Sequence, residues 1–551
     1  MIVVRRWASS AIVALFVAGC SFIVDTADRA QCSVTADCQA NPALVGRVCR
    51  AGFCELDPKP VSNDAGQGCT TTAICTQQQG GKSICKQAGS ACVQLAIPGC
   101  EAITDGWNDP NAIFVGTILP LTLTQPSNTA PDNPYAIRAK RAINLAAKEL
   151  HDSLLTGFFV GGKSRPVSVV HCDSRGDAAV AKKMFTHLTD VVGADAVIVG
   201  WDEDLAAIAA DAKQKKTTIV CTDCLAPAPA DTVTWRVLPN ITADSALIRW
   251  RVGQLEAELE VKKPGDIKVA LLSEDLLVPR TFVSDFVANL TFNNGKSAAS
   301  QLGTAFLNER APDPRKSFPD YDGIANAIAD FAPDIVVVAL GSDFPRSYLK
   351  LIEDKLAVKW PAKDKPFYVV TEISYSAKTF EDALPATTAG DELRSRISGT
   401  RPFVTTELKA NQTAFETAYA LEYNESGADV PSSYEAFYAM ALAIAAASGQ
   451  PPLTSASIDS GFSHLLGGSD FNVGKSGFNN ALGMLAQGTS LNVRGIYTEL
   501  DWNASRETPS DMGMFCFDRK PGAALTVHDA ESVRWSAATG QVTVTGTYTC
   551  P

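Results

Sequence analysis

The stretch from Pro166 to Cys224 constrains the fold more than any other part of the chain. Three short apolar runs, Val167–Val170, Ala196–Val199 and Thr218–Val220, are separated by segments of helical period. Between the first two runs, Ala181, Met184, Phe185, Leu188 and Val192 recur at helical steps and share one face. Strands that alternate with helices of this length imply parallel βαβ units, with helices covering the sheet. The runs are too short and too apolar for half-solvated antiparallel strands. Each ends in small or polar residues: His171-Cys172-Asp173-Ser174, Gly200-Trp201-Asp202 and Cys221-Thr222-Asp223. Ligands of an open parallel sheet bind outside the carboxyl ends of its strands. Function is therefore expected at these three ends.

A chain of 551 residues is too long for one core, so two or more domains are expected. A formal charge of −12 argues against nucleic acid as a partner. Arg5 and Arg6 precede an apolar run, Ala11–Val17, that is too short to span a bilayer. This reads as a secretory signal with a basic head. It ends Val17-Ala18-Gly19-Cys20, which resembles the bacterial lipobox, after which the cysteine becomes the lipid-modified first residue. Residues 1–19 are thus expected to be a lipoprotein signal peptide, and 20–31 the lipid anchor and tether at Cys20. An ordinary signal peptide with a cysteine at its boundary is the alternative. The expected location is the bacterial cell envelope, periplasmic or outer-membrane, with membrane contact through the lipid.

Most of the 15 cysteines lie before Glu101. Cys32, Cys38, Cys49 and Cys54 are spaced C-x5-C-x10-C-x4-C, and Cys69, Cys75, Cys85 and Cys92 follow as C-x5-C-x9-C-x6-C. Val48-Cys49-Arg50 matches Ile84-Cys85-Lys86. This is a duplicated small unit, a module over 32–100 with repeats at 32–56 and 69–94. Neither repeat has enough large apolar residues for its own core, so disulfides are expected to hold it. Zinc is the rival, but the spacing lacks paired C-x2-C ligands. The module is read as a stapled spacer; an adhesion or partner module is the alternative.

From Asn111 onward the pattern is α/β. Ala112–Leu119 reads as a strand, Tyr135–His151 as a helix, and Thr242–Val261 as a long helix with Thr242 and Asp244 as caps. Lys268–Ser273, Ile335–Leu340 and Phe367–Thr371 read as further strands. IFVGTILPLT, AIRAKRAINLAAKEL, VSVVHCDSRGDAAVAKKMFTHL, WRVLPNITADSA, SYEAFYAMALAIAAA and VRGIYTELDWNAS follow one another along the chain. This series resembles the type I periplasmic-binding fold, specifically the leucine/isoleucine/valine-binding proteins of amino-acid ABC transporters. The resemblance implies a two-lobed α/β fold with parallel sheets flanked by helices and crossover hinge strands, preceded here by the small disulfide-rich module. The first lobe would take 111–242 and 373–490, the second 243–372, with 491–551 mainly in the second. It also implies a small-molecule ligand held between lobes that close by a hinge, an ABC permease or another envelope protein as partner, and no cofactor.

In the family, an amino-acid carboxylate meets hydroxylated residues and backbone N–H groups at helix N-termini. The matching loops here hold Trp201, Asp202, Glu203 and Asp204, then Cys221, Thr222, Asp223 and Cys224. Three acids stand where Ser and Thr are expected, and acids repel a carboxylate. The family's amine-binding acid matches Glu372. From the second lobe, Ser273, Asp275, Ser342 and Asp343 follow strands and complete the candidate ligand set. The pattern points to a cationic or neutral ligand. Asp202, Glu203 and Asp204 are alternatively helix caps, and Trp201 a packing residue. Cys221-Thr222-Asp223-Cys224 is expected to be oxidised, with a metal site using His171 and Cys172 as the rival. Cys172 is expected to pair with Cys221 or Cys224 and Cys516 with Cys550, while Cys100 ties the head to the large domain. None of the five histidines stands in a G-x-S-x-G, H-E-x-x-H or phosphate-loop setting. No catalytic or metal site is assigned. A lipoprotein using this fold to regulate a protein partner, such as a cell-wall synthase, is the alternative function.

Overall fold

The computed structural model describes residues 47–50, 53–56 and 68–548, apart from 80, 87–89, 128, 155–156, 229–232, 264, 343, 385, 450 and 519–524. In the first unit, Met1–Gln67, the described part is an antiparallel hairpin, Arg47–Arg50 with Phe53–Leu56, that sets Cys49 opposite Cys54. Cys49 is disulfide-bonded. The expectations for the signal segment, Cys20, Cys32 and Cys38 lie outside the described residues.

The second unit holds two large sheets. Strands β1 (Cys100–Ile103), β2 (Ile113–Leu119), β3 (Val167–Asp173), β4 (Ala196–Val199), β5 (Thr218–Cys221) and β6 (Thr234–Arg236) form the first, in the order β6-β5-β4-β2-β3-β1. All pair in parallel except β1, which runs antiparallel to β3. Every residue of β2 is buried, as a parallel strand covered on both faces requires. Gly200 follows β4 at a point where a Cβ would lie 2.5 Å from the Leu119 side chain, so any larger residue would make that leucine shift. Helices α1 (Pro134–Ser153), α2 (Ala178–Thr186) and α3 (Asp202–Lys215) follow the strands. α1 starts cleanly because Asn133 accepts from the Ala136 N–H and Pro134 needs no donor there.

The second sheet contains β7 (Val269–Glu274), β8 (Phe306–Ala311), β9 (Ile335–Ala339), β10 (Phe367–Val370), β11 (Ile397–Pro402), β12 (Met512–Phe517), β13 (Val527–Ser536) and β14 (Gln541–Val544). Their order is β8-β7-β9-β10-β11-β12-β13-β14, parallel as far as β11 and antiparallel beyond. Helices α4 (Thr242–Lys262), α5 (Leu277–Asn289), α6 (Tyr321–Phe331) and α7 (Lys350–Lys359) belong to this lobe. Helices α8 (Thr406–Tyr423) and α9 (Pro431–Ser448) return to the first lobe, where α9 packs on α1. α9 is buried along its length except at Ala446, because SYEAFYAMALAIAAA is apolar on nearly every face.

Three crossovers join the lobes side by side. The Arg236 N–H donates to the Arg506 carbonyl at 2.9 Å, and the Phe403 N–H to the Asp511 carbonyl at 2.8 Å. The Trp502 indole N–H donates to the Arg236 carbonyl at 2.7 Å. The second lobe keeps the chain to Pro402 rather than ending at 372. Strand β11, ISGTRP, has too few apolar residues to read as a strand, yet pairing with β10 and β12 buries all of it. Thr242 and Asp244 do not cap α4, whose N-cap is Ile241 without a side-chain bond.

The disulfides are Cys69–Cys85, Cys75–Cys92, Cys100–Cys172 and Cys221–Cys224. Cys172 therefore pairs with Cys100, not with Cys221 or Cys224. The cause is register: β1 lies beside β3 and sets Cys100 opposite Cys172. Cys69, Cys75 and Cys85 crowd together because they are cystines, so their sulfurs are not free for a metal. Cys516 is disulfide-bonded, and Cys550 lies outside the described residues. The second cysteine repeat is not a detached spacer. Ile84, Leu95 and Cys100 share one apolar cluster with Phe114, Phe185 and Leu188 of the first lobe. Lys86 donates to the Val192 carbonyl, and the His187 Nε2 meets the Leu95 carbonyl at 3.1 Å.

Candidate functional site

The two lobes touch at the carboxyl ends of their strands. At one end, Glu203 in the first turn of α3 accepts from the Leu277 N–H that opens α5, at 2.9 Å. Beside it, Arg315 of the second lobe donates to the Gly176 carbonyl at 2.8 Å and stacks over the Trp201 ring at 5.1 Å. At the other end, Asp429 of the first lobe accepts from Ser376 of the second at 2.9 Å and from Arg138 at 3.1 Å.

Between these contacts lies a group of carboxylates and phenols. Asp223 accepts from Thr222 at 2.9 Å and from Ser432 at 3.1 Å, and the Tyr135 hydroxyl also bonds to it. Glu372 follows β10 in the second lobe, and the Asp223 charge is among those that disfavour its anion. The Glu372 backbone N–H donates to Asp244 at 3.3 Å, which is where the supposed cap of α4 goes. The Glu372 Oε2 is buried and has no hydrogen-bond partner among the described residues. Burial pushes the Glu372 carboxyl well above the usual range, and the Asp244 charge pushes it further. Burial likewise lifts Asp223, and raises Asp244 to about 7. Tyr375, whose hydroxyl accepts from Arg401 at 3.2 Å, is raised to about 12 by burial and stays a neutral phenol. The Tyr497 hydroxyl donates to the Ala428 carbonyl at 2.9 Å.

The charges do not balance. Arg138 is engaged by Asp429 and Arg401 by Asp529, at 3.1 and 2.7 Å. Asp223, Asp244 and Glu372 form no ion pair among the described residues. Buried carboxylates without a basic partner are costly as anions, and a cation placed between them removes that cost.

The sequence profile described as "Periplasmic binding protein" matches residues 113–465. The chain belongs to this family. Solved periplasmic binding proteins share the fold. The branched-chain amino acid transporter substrate binding protein LivJ from Streptococcus pneumoniae, in complex with isoleucine, is 16% identical, with 76% of this chain and 99% of that one covered at a TM-score of 0.50. A solute binding protein of an ABC transporter from Rhodopseudomonas palustris BisB5, in complex with 3,4-dihydroxybenzoic acid, is 15% identical, with 76% and 98% covered at 0.51. A fatty acid ABC transporter substrate-binding protein from Thermomonospora curvata is 16% identical, with 76% and 92% covered at 0.50. No curated protein matches the chain. No helix among the described residues is long and apolar enough to cross a membrane.

In this periplasmic binding protein, the residues expected at the site divide. Asp223 and Glu372 both belong to the buried group of carboxylates described above. Trp201 lines the interlobe contact under Arg315. Asp202 turns inward instead, accepting from the Leu225 and Ala226 N–H groups at 2.6 and 3.1 Å, with Arg236 at 3.8 Å. Ser273 is buried in its strand and donates to the Glu309 carbonyl at 3.4 Å. Asp275 lies among Arg280 and Arg310, at 3.8 and 3.7 Å. Thr222 is fully buried and serves Asp223. Ser342 is part-buried and makes no hydrogen bond among the described residues, and Asp343 lies outside them. Tyr135, Tyr375, Ser376, Arg401, Asp429, Ser432 and Tyr497 were not legible as site residues. Tyr135, Asp429 and Ser432 sit around helix starts and Arg401 within β11, rather than at the ends of apolar runs.

The raised carboxyls make stability pH-dependent. Asp202, Asp204 and Asp244 are each pushed up to about 7, with burial the largest cause. A carboxyl raised on folding contributes stability that is fully present below its ordinary value of 3.8 and is lost as pH rises through about 7. His171, pulled down to about 3 by burial, opposes this only below the ordinary imidazole value of 6.5. The melting temperature should therefore rise as pH falls from about 8 to about 6.5. A series of calorimetric scans checks this, and a fall over that window contradicts it.

Proposed function

We propose that this protein is an extracytoplasmic solute-binding protein that captures a small polar ligand, amino-acid-like and cationic or neutral, in the interlobe cleft and delivers it to an ABC permease. One observation carries the reading: among the described residues Asp223 and Glu372 form no ion pair, the Glu372 Oε2 accepts no hydrogen bond, and Arg401, whose charge favours the Glu372 anion, is already paired with Asp529. An ammonium group placed there meets charge from both lobes and so favours the closed state through contacts that only closure makes. Family membership and solved relatives that hold isoleucine or 3,4-dihydroxybenzoic acid support small-molecule capture. A thermal-shift screen with amino acids, polyamines and short peptides tests the proposal. Ligand at a hundredfold excess over Kd adds about 2.7 kcal/mol of apparent stability. A screen in which no cationic or neutral member of these classes raises the melting temperature contradicts the reading.

A second reading draws on the contacts that the lobes make for themselves. Glu203 to Leu277, Arg315 to Gly176 and Asp429 to Ser376 bridge the cleft with the protein's own groups. A scaffold held closed in this way suits a lipoprotein that regulates an envelope protein partner.

Export and lipidation at Cys20 complete the proposal. Replacing Cys20 by Ala should release the protein from the membrane fraction, since the signal resembles a lipobox and the family-like modification supplies more than one acyl chain. Full membrane retention of the variant contradicts a lipid anchor there.

A further inference from the structure

Glu149 lies on the inner face of α1 and is only 9% exposed. No basic side chain pairs with it among the described residues. Its Oε2 accepts from two phenols one turn apart on α9, Tyr434 and Tyr438, the latter at 2.7 Å. Burial, reinforced by the neighbouring carboxylate, holds both phenols far above their ordinary values, so the hydroxyls donate and the carboxylate accepts. The other oxygen, Oε1, accepts no hydrogen bond among the described residues and is not sealed off. Glu149 lines a hollow of about 470 Å³, within the range of small-molecule sites.

This hollow is separate from the interlobe site, because none of the residues that line it takes part in the interlobe bonds or is Asp223 or Glu372. Phe415, Phe471 and Met484 supply apolar wall. Lys475 is the only basic residue in the lining, and Asp152 engages it at 3.1 Å. The hollow thus has a carboxylate at its floor, aromatic rings beside it and no cation directed at that carboxylate. Since one carboxylate oxygen is already taken by two hydroxyls, the two-pronged grip that a guanidinium prefers is blocked. A single-point donor such as an ammonium fits the remaining oxygen.

We propose that this hollow is a second ligand site, one that takes an organic ammonium with its charge on the Glu149 Oε1 and its hydrocarbon body against Phe415 and Phe471. The site stands apart from the cleft, so it holds whether or not the cleft takes a cation.

Calorimetric titration of the full mature chain with 2-phenylethylammonium tests it, in a Glu372→Gln background that weakens the cleft about ten- to a hundredfold, at ligand concentrations too low to fill the weakened cleft. One site is expected. Adding Glu149→Gln, which keeps an oxygen acceptor for the tyrosines, should weaken it at least tenfold, as loss of a charge-assisted bond does. Adding Met484→Trp, which fills the hollow without touching Glu149, should abolish binding while the melting temperature is kept. The neutral isostere 2-phenylethanol should bind at least tenfold more weakly than the ammonium. The proposal is overturned by any of three results: no binding in the Glu372→Gln protein, unchanged affinity after Glu149→Gln or Met484→Trp, or equal affinity for the neutral isostere. Loss of cleft binding in Glu372→Gln alone bears on the function proposed above and leaves this site standing.

Discussion

Glu372→Gln is expected to weaken binding of a cationic ligand about ten- to a hundredfold, while the empty protein melts at nearly the same temperature. A charge-assisted hydrogen bond in a desolvated cleft is worth roughly 1.5–3 kcal/mol, and each 1.4 kcal/mol or so is a factor of ten in Kd. The empty protein should tolerate the change because burial and the Asp244 charge already keep the Glu372 carboxyl well above its ordinary value. Glutamine copies the shape and the neutrality of that protonated form. The same shift gives a second readout. A cation that turns Glu372 into a carboxylate must release its proton, so affinity should climb as pH rises, and the heat of binding should differ between buffers of unlike ionisation enthalpy. Unchanged affinity in the variant, or binding without proton release, removes Glu372 from the site.

The second large effect concerns the bond that fixes the cysteine-rich repeat to the first lobe. Cys100 and Cys172 are both fully buried and are 72 residues apart in sequence. Joining distant residues restricts the unfolded chain, and such a bond is typically worth about 2–4 kcal/mol. The double variant Cys100→Ala/Cys172→Ala avoids a free buried thiol and should lose stability of about that size in denaturant titrations. Strand β1 also loses its covalent tie to β3, so proteolysis between residues 93 and 111 should accelerate. Stability within about 0.5 kcal/mol of the parent would mean that the β1–β3 pairing and the apolar cluster around Ile84 and Phe185 hold the repeat by themselves.

The alternation of apolar runs and helical periods made the sheets readable, since parallel strands covered on both faces leave unbroken runs such as Val167–Val170 and Ile335–Leu340. β11 escaped because its burial comes from neighbours rather than from its own composition, and with it went the true end of the second lobe. The same logic divided the site. Asp223 and Glu372 stand two residues beyond apolar strands, where the sequence makes them candidates. Asp202 also follows one, but its carboxylate turns to the Leu225 and Ala226 N–H groups, a choice made by a loop whose path no local pattern records. Asp429 and Ser432 flank the start of α9, where the sequence announces only a helix. Cys100 to Cys172 was hidden for a related reason: CEAI is too short and too polar to suggest an edge strand.

The most direct test of the cleft is a crystal structure of the protein with the strongest cationic ligand from the thermal-shift screen. The account predicts the ammonium group within hydrogen-bond distance of both the Asp223 and the Glu372 carboxylates, with the lobes closed over it. Density for that ligand elsewhere, with Asp223 and Glu372 still unbridged, would contradict it.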